Sequence, residues 1–459
     1  MTLRLVPLLA FGLASSLAAQ SPQPLMGQPL PGLTPTQLQL FQQGFAAFTH
    51  PLTPAEGVGP IFNEVSCASC HSQPAIGGFS TRRVTRFGKA ASGGAAFDPL
   101  TGLGGTLLQD QSLDVACREL VPVEADHTAM RGTPALFGAG LIESIADADI
   151  LNGQAAQAVG VRGIPHWVQP LEDPTGPLRV GHFGWKGGVA TVQSFSIDAA
   201  LNEMGLTSPF AMVENAPNGD LVTLSQWDSV SEPEDQPDGA GYLRTDRFTH
   251  FQRFLAPPAQ TPRSGLDGEA MFAQIGCAAC HTPTFTTSPT AGSGLAGIEV
   301  HPYSDFLLHD MGALGDGIVD GAATETMMMT RPLWGLVMRT AFLHDGRSTG
   351  ATFEGMIDDA IANHGGQADA ARIAFQALSP VDQASLVTFL ESLGRSEFDW
   401  DIDNQLTEFD WYFLENYLTG PAPMTPIGPN DPAALCDVDQ DGDFDLVEFG
   451  QLQRVWTAQ

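Results

Sequence analysis

The sequence predicts a mainly α-helical fold with long loops, made of two related halves and closed by a small C-terminal cation-loop segment. Three observations carry this. The motif Cys-x-x-Cys-His occurs twice, as Cys67-Ala-Ser-Cys70-His71 and Cys277-Ala-Ala-Cys280-His281. A set of shorter matches follows each copy in the same order. The chain then ends on an acidic stretch whose oxygen donors are spaced for a hard cation. With 50 Gly and 34 Pro among 459 residues, the chain is rich in loops and unlike a simple helical bundle.

The first element is a leader. Met1 to Arg4 is short and charged, Leu5 to Ala19 is apolar, and Ser15-Ser16-Leu17-Ala18-Ala19 supplies the small residues of a cleavage site. Residues 1–19 therefore read as a signal peptide, with the mature protein beginning near Gln20 in a periplasmic or secreted setting. No later stretch is apolar for long enough to span a bilayer. The 52 acidic and 20 basic side chains give a net charge of -32, which excludes a nucleic-acid partner and suits a cationic one.

Cys-x-x-Cys-His is the attachment signature of c-type haem. The two thiols add to the two vinyl groups, and the adjacent imidazole becomes the proximal iron ligand. A redox dithiol would not need the His, and a zinc site would need a further ligand pair. Two haem c groups are thus expected, one on Cys67, Cys70 and His71, the other on Cys277, Cys280 and His281. Each motif follows a stretch that reads as helical, Gly59-Pro-Ile-Phe-Asn-Glu64 and Gly268-Glu-Ala-Met-Phe272. The remaining cysteines, Cys117 and Cys436, could pair or stand as two separate thiols.

The halves align beyond the motifs. Arg131-Gly-Thr-Pro134-Ala-Leu-Phe137-Gly138 parallels Arg331-Pro332-Leu333-Trp334-Gly335, and Phe183-Gly-Trp185-Lys186-Gly187 parallels Phe342-Leu-His344-Asp345-Gly346. Further on, Thr191 falls on Thr352, Asp198-Ala199 on Asp359-Ala360, and Glu203 on His364. A His there can complete a six-coordinate, electron-transfer iron, whereas a Glu is a weak ligand but a good proton carrier beside an open one. The helix expected from Ser379-Pro380 through Leu393 should close the second half against the helix carrying Cys277.

In these stretches the chain resembles the bacterial di-haem oxidoreductases, a peroxidase-like family within the di-haem cytochrome c peroxidase superfamily. The likeness rests on Gly57-Val-Gly-Pro-Ile-Phe-Asn63, Cys67 to Gly78, Phe183 to Lys186, Glu203-Met-Gly-Leu-Thr207, His309-Asp-Met-Gly312, Arg331 to Gly335, Phe342 to Arg347 and His364-Gly-Gly366. It implies two cytochrome c-like haem domains, residues 20–255 and 256–400. It also implies that Trp185 relays electrons between the haems and that Gln193 and Glu203 line a peroxide pocket. Electrons would come from a small redox protein, such as a cationic cytochrome, entering at the second haem with His364 as its distal ligand.

One departure stands out. Lys186 occupies a place where the peroxidases carry Asp, and an amine there could reach the first iron and block it. With Lys186, or one of His127, His166 and His182, as sixth ligand, the chain would be a pure electron carrier. An oxidase of a thiol or another substrate is a third reading. His309, Met311 and His344 are expected in supporting roles, and Arg331 and Arg347 as partners of haem propionates.

Residues 401–459 form a separate tail. Asp437, Asp439, Asp441, Asp443, Asp445 and Glu448 occupy positions 1, 3, 5, 7, 9 and 12 of a calcium loop, with Gly442 at the turn position 6. The expected ligand is Ca2+, in an EF-hand or dockerin-like module.

Overall fold

The computed structural model describes residues 23–91, 96–261, 266–418, 420, 426–428, 431–438 and 441–457. The expected signal peptide and Asp439 lie outside them. Among the described residues no helix is long and apolar enough to cross a membrane.

The fold is mainly helical. In order, the first half carries α1 (Pro35–Thr49), α2 (Cys67–Cys70), α3 (Ala139–Glu143), α4 (Asp147–Ala156), α5 (Val192–Met204), α6 (Leu221–Trp227) and α7 (Arg244–Phe254). The second carries α8 (Asp267–Gln274), α9 (Phe353–Ala362), α10 (Asp369–Gln376) and α11 (Pro380–Ser392), and the tail α12 (Glu408–Leu414) and α13 (Leu446–Thr457). Strands are short and pair antiparallel in twos. They are β1 (Ile61–Phe62) with β3 (Gln111–Ser112), β2 (Arg83–Gly88) with β4 (His127–Gly132), β5 (Trp167–Val168) with β6 (Arg179–Val180), β7 (Phe285–Thr286) with β8 (Glu299–Val300), and β9 (Leu308–Asp310) with β10 (Met327–Met329).

Each half is built on one helix crossing, and the two crossings match. α1 packs on α7 and α8 packs on α11. At the first crossing a Cβ on Gly44 would meet the Arg247 carbonyl oxygen at 2.5 Å, and at the second a Cβ on Gly268 would meet that of Ser385 at 2.1 Å. Only glycine lets the backbones approach so closely. One turn later Phe48 meets Phe251 with ring centroids 4.7 Å apart, and Phe272 meets Phe389 at 5.4 Å. Both phenylalanines also lie against the histidine of their motif, Phe48 on His71 at 6.2 Å and Phe272 on His281 at 6.1 Å. Burying each ring contributes about 2–3 kcal/mol.

This crossing corrects the approach segment assigned to the first half. Residues 59–64 do not form a helix: Ile61 and Phe62 are strand β1, paired with Gln111 and Ser112. Pro60 removes a backbone donor there, and the segment is held instead by bonds to the end of α5. The counterpart of Gly268-Glu-Ala-Met-Phe272 is Gly44-Phe-Ala-Ala-Phe48, set further ahead of its motif. The closing helix is α11, capped by the Ser379 side chain on the Asp382 N–H. Its partner α8 ends just before Cys277, which lies in a short 3-10 turn.

Between the halves lies a third core, joining Leu141, Ile145, Val180 and Phe183 to Phe306, Leu308 and Trp334. The tail has its own, around Phe398, Leu406, Leu414, Phe444 and Leu452. Cys117 and Cys436 are separate buried thiols, the first donating to the Asp114 and Pro60 carbonyls and the second to that of Glu397.

Candidate functional site

The first motif occupies one helical turn. Ser66 caps α2 by accepting from the Ser69 N–H, and the turn brings Cys67 and Cys70 to neighbouring positions. His71 ends the turn, with ring Nδ1 3.0 Å from the Gly78 carbonyl oxygen. A carbonyl can only accept, so Nδ1 carries the proton and Nε2 keeps its lone pair. Burial pushes the imidazole down to about 4, so it is neutral and able to ligate iron. Burial also pushes Cys67 and Cys70 up to about 12. Such neutral thiols do not suit a redox dithiol.

The second motif repeats this chemistry. His281 places Nδ1 3.0 Å from the Tyr303 carbonyl oxygen, and burial, with His364 nearby, pushes it down to about 4. His364 places its own Nδ1 2.8 Å from the Ala360 carbonyl oxygen, two residues beyond the end of α9. Two neutral imidazoles near one another, each with Nδ1 engaged, suit bis-His iron.

Cys67, Cys70 and His71 open into a cavity of about 990 Å³ that is also lined by Arg86, Trp185 and Glu203. Glu203 sits in the last turn of α5, and its Oε2 accepts from Asn63 Nδ2 at 2.7 Å. Asn63 and Glu64 further donate their N–H groups to the Glu203 carbonyl, so strand β1 and the helix end hold each other in place. Burial raises the Glu203 carboxyl above its ordinary value, although Asn63 and Arg86 oppose the shift. Two further guanidinium groups are half-buried. Arg331 and Arg339, pushed down to about 9 and 10 by burial, pair with no carboxylate among the described residues. Both are suited to anionic groups such as haem propionates.

The sequence profile of the family described as "Di-haem oxidoreductase, putative peroxidase" matches residues 112–393. The chain belongs to that family. The matched span contains the second motif, Trp185, Glu203 and His364, while the first motif, at 67–71, precedes it. No curated protein matches the chain. Among solved structures it is similar to the hydrazine synthase of Kuenenia stuttgartiensis, in a structure pressurised with xenon. The two are 13% identical, with 86% of this chain and 100% of that one covered, at a TM-score of 0.35.

In this di-haem oxidoreductase the halves meet at equivalent residues. The hairpins Phe183–Val189 and Phe342–Ser348 close with the same bridge. Both turn through positive φ at matching places, Gly184 and Gly187 in one, Leu343 and Gly346 in the other. Their third residues touch, with the rings of Trp185 and His344 6.3 Å apart. Gly132 joins the two: it accepts from the Trp185 indole at 2.8 Å and donates to the His344 carbonyl at 2.7 Å. The Arg331 guanidinium lies 5.6 Å from the Trp185 ring centroid and donates to the Gly184 carbonyl.

The structure moves three expected roles. Lys186 borders the same cavity, but its ammonium is already engaged, donating to Asp316 at 2.9 Å and to the Thr324 and Met327 carbonyls at 2.8 Å each. Those three bonds use all its hydrogens. Gln193 is not among the cavity residues and donates to Asp246 at 3.2 Å. Ten residues from Glu203, it lies roughly 80° around the helix. Arg347 is bound by Asp345 at 2.6 Å.

Among the other histidines, His127 bonds the Asp316 carbonyl, and His166 lies between the Lys186 carbonyl and the Ala322 N–H. His182 is buried, neither ring nitrogen is bonded among the described residues, and burial pushes it down to about 4. His309 sits between Asp305, at 2.9 Å, and the Cys280 sulfur, at 3.6 Å. Asn63 and Arg86 escaped the sequence reading of the site. Asn63 stood inside a quoted motif, but nothing local marked Arg86.

The tail holds two loops of one design. In the expected loop, Asp437 accepts the N–H groups of Asp441 and Gly442, Asp441 that of Asp443, and Glu448 that of Asp445. Residues 399–410 repeat every one of these bonds. Asp399 accepts from Asp403 and Asn404, Asp403 from Gln405, and Asp410 from Thr407. The sixth position has positive φ in both, 88° at Gly442 and 63° at Asn404. The eighth, Phe444 or Leu406, is buried in the shared tail core. The sequence signal for the first loop was the spacing of Asp399, Asp401, Asp403 and Asp410, masked by Asn in place of the turn glycine.

Proposed function

We propose that this di-haem oxidoreductase reduces hydrogen peroxide at the N-terminal haem, with electrons entering at the C-terminal one. The observation that carries the reading is the half-buried Glu203 carboxyl in the same cavity as Cys67, Cys70 and His71, at the repeat position held by His364 in the other half. Cys67 and Cys70, and likewise Cys277 and Cys280, would hold the haems as thioethers. When bound, the haems supply the redox chemistry, and the protein supplies position and protons.

Glu203 keeps its proton to a higher pH than an exposed Glu because burial penalises the anion, so it can deliver that proton to the leaving oxygen. Asn63 fixes the carboxyl's orientation. Arg86 lies close enough to stabilise the anion that remains. His364 and His281 serve the electron-transfer site, and Trp185, wedged against His344 at the junction, is the relay. Activity should therefore fall as pH rises through the raised Glu203 pKa. His281 and His364 would hold the C-terminal haem between them, and two imidazoles would give it a lower potential than an imidazole and a thioether, since a thioether favours ferrous iron.

The acidic surface favours a small cationic redox protein as donor. The double Cys-x-x-Cys-His pattern with the leader-like residues 1–19 favours export to the periplasm or beyond. The 437–448 loop holds Ca2+, supported by the convergence of Asp443, Asp445 and Glu448 oxygens.

The decisive test is peroxide addition to the half-reduced, calcium-loaded protein with both haem spectra followed in a stopped-flow instrument. Rapid reoxidation is expected, and unchanged spectra would overturn the reading. Gln193→Ala separates the geometry from the resemblance. Loss of its bond to Asp246 should cost about 1 kcal/mol of stability and leave steady-state peroxide turnover unchanged.

A further inference from the structure

Four carboxylates gather beside the Glu203 helix end, and one of them, Glu214, also borders the cavity of the first motif. Oxygens of Glu214, Asp228, Glu232 and Glu234 lie within 4.8 Å of one another. Glu214 is only 7% exposed, and among the described residues no N–H or hydroxyl donor reaches either of its carboxylate oxygens, the neighbouring Glu232 being itself a carboxylate. The charges around it are Glu234, Glu232 and Asp228, all of its own sign. The cluster's partners are neutral: the one Thr207 hydroxyl hydrogen is within reach of both Glu232 and Glu234, and the Thr207 N–H donates to Glu234. A buried carboxylate without a donor costs several kilocalories per mole unless a cation or a proton compensates it.

The surroundings are shaped around this group. A Cβ on Gly59 would stand 2.1 Å from the Glu214 Oε1, and one on Gly57 2.7 Å from the Glu234 Cβ. Both glycines belong to the segment that runs on into Asn63. Its other side is bonded to α5, Gly59 donating to the Met204 carbonyl. The carboxylates come from two loops, the one that follows Glu203 and the one that follows α6. The two loops already meet through Thr207 and Glu234, and a central cation would add a bond to the carboxylates of both.

We propose that Glu214, Asp228, Glu232 and Glu234 form a calcium site, distinct from the tail loops, that staples these two loops beside the α5 C-terminus. The donor set is all oxygen with no nitrogen or sulfur, which selects a hard cation. Four converging carboxylates offer up to eight oxygens and leave little room for the waters Mg2+ retains, so Ca2+ is the fitting ion. Without it, burial and the three neighbouring carboxylates push Glu214 up to about 10, and the group takes a proton instead. The site does not depend on the reaction run at the haems.

The test counts calcium on the full-length holoprotein after chelator treatment and equilibrium dialysis against 45Ca2+. Glu214→Gln/Glu232→Gln should bind one calcium per chain fewer than the wild type. Asp437→Ala/Asp441→Ala, in the tail, should keep that equivalent and still melt at a higher temperature when calcium is added. Haem absorbance and circular dichroism verify folding. Asp228→Asn, at a half-buried position, serves if the double variant fails to fold, and should weaken the same equivalent at least tenfold. Unchanged stoichiometry in these variants would overturn the site. So would a double variant that melts above the wild type in calcium, since it would show four carboxyl groups relieved of repulsion with no ion among them.

Discussion

Glu203→Gln is expected to lower peroxide turnover by a factor of about 10²–10⁴, the usual contribution of a positioned general acid, and to leave both haems attached. The amide keeps the bond from Asn63 Nδ2 through its oxygen, so strand β1 stays docked on the end of α5. What disappears is the proton. The wild-type rate should decline toward alkaline pH as the raised Glu203 pKa is crossed, and the residual rate of the variant should lack that limb. Steady-state assays from acid to alkaline pH, with haem stain and absorbance as controls, check both parts. Turnover close to wild type would remove Glu203 from the chemistry.

Asp316→Ala should be the most destabilising single change at the junction. Its carboxylate is fully buried and binds two cations from the first half, Arg131 at 2.7 Å and Lys186 at 2.9 Å. Burial alone would raise Asp316, but Arg131 and Lys186 outweigh it and hold the carboxyl below its ordinary 3.8. Removing it strands two buried charges, and losing one partner of such a set costs about 3–5 kcal/mol. Chemical denaturation at neutral pH measures this. A group with a depressed folded pKa stabilises the protein above its unfolded pKa, and that contribution disappears as pH falls through the folded one. The gap between wild type and variant should therefore narrow below pH 3.8 and stay wide at neutral pH.

The sequence was most legible where chemistry demands fixed spacing. Cys-x-x-Cys-His, the 437–448 loop and the Thr191-to-Glu203 and Thr352-to-His364 registers are short, local and repeated. Thr191 and Thr352 both cap their helices, as their alignment implies. Legibility failed where a side chain's direction is set by distant parts of the chain. Lys186 looked like an iron ligand because nothing near it reveals Asp316, 130 residues away. Gln193 looked like a pocket residue because order along a motif does not specify which side of a helix faces inward. The first approach helix was misplaced because a long insertion separates Phe48 from Cys67, where Phe272 and Cys277 are nearly adjacent.

The meeting of Trp185 with His344 has a further consequence. Two copies of one hairpin that touch through the same position make a self-complementary contact, the form taken by the interface of a two-fold symmetric dimer. In such a dimer, any substitution appears on both sides at once, and the pair remains identical. Joined in a single chain, the two positions are free to diverge, and here one is an indole and the other an imidazole. The junction therefore has a direction that no symmetric assembly of identical subunits can have.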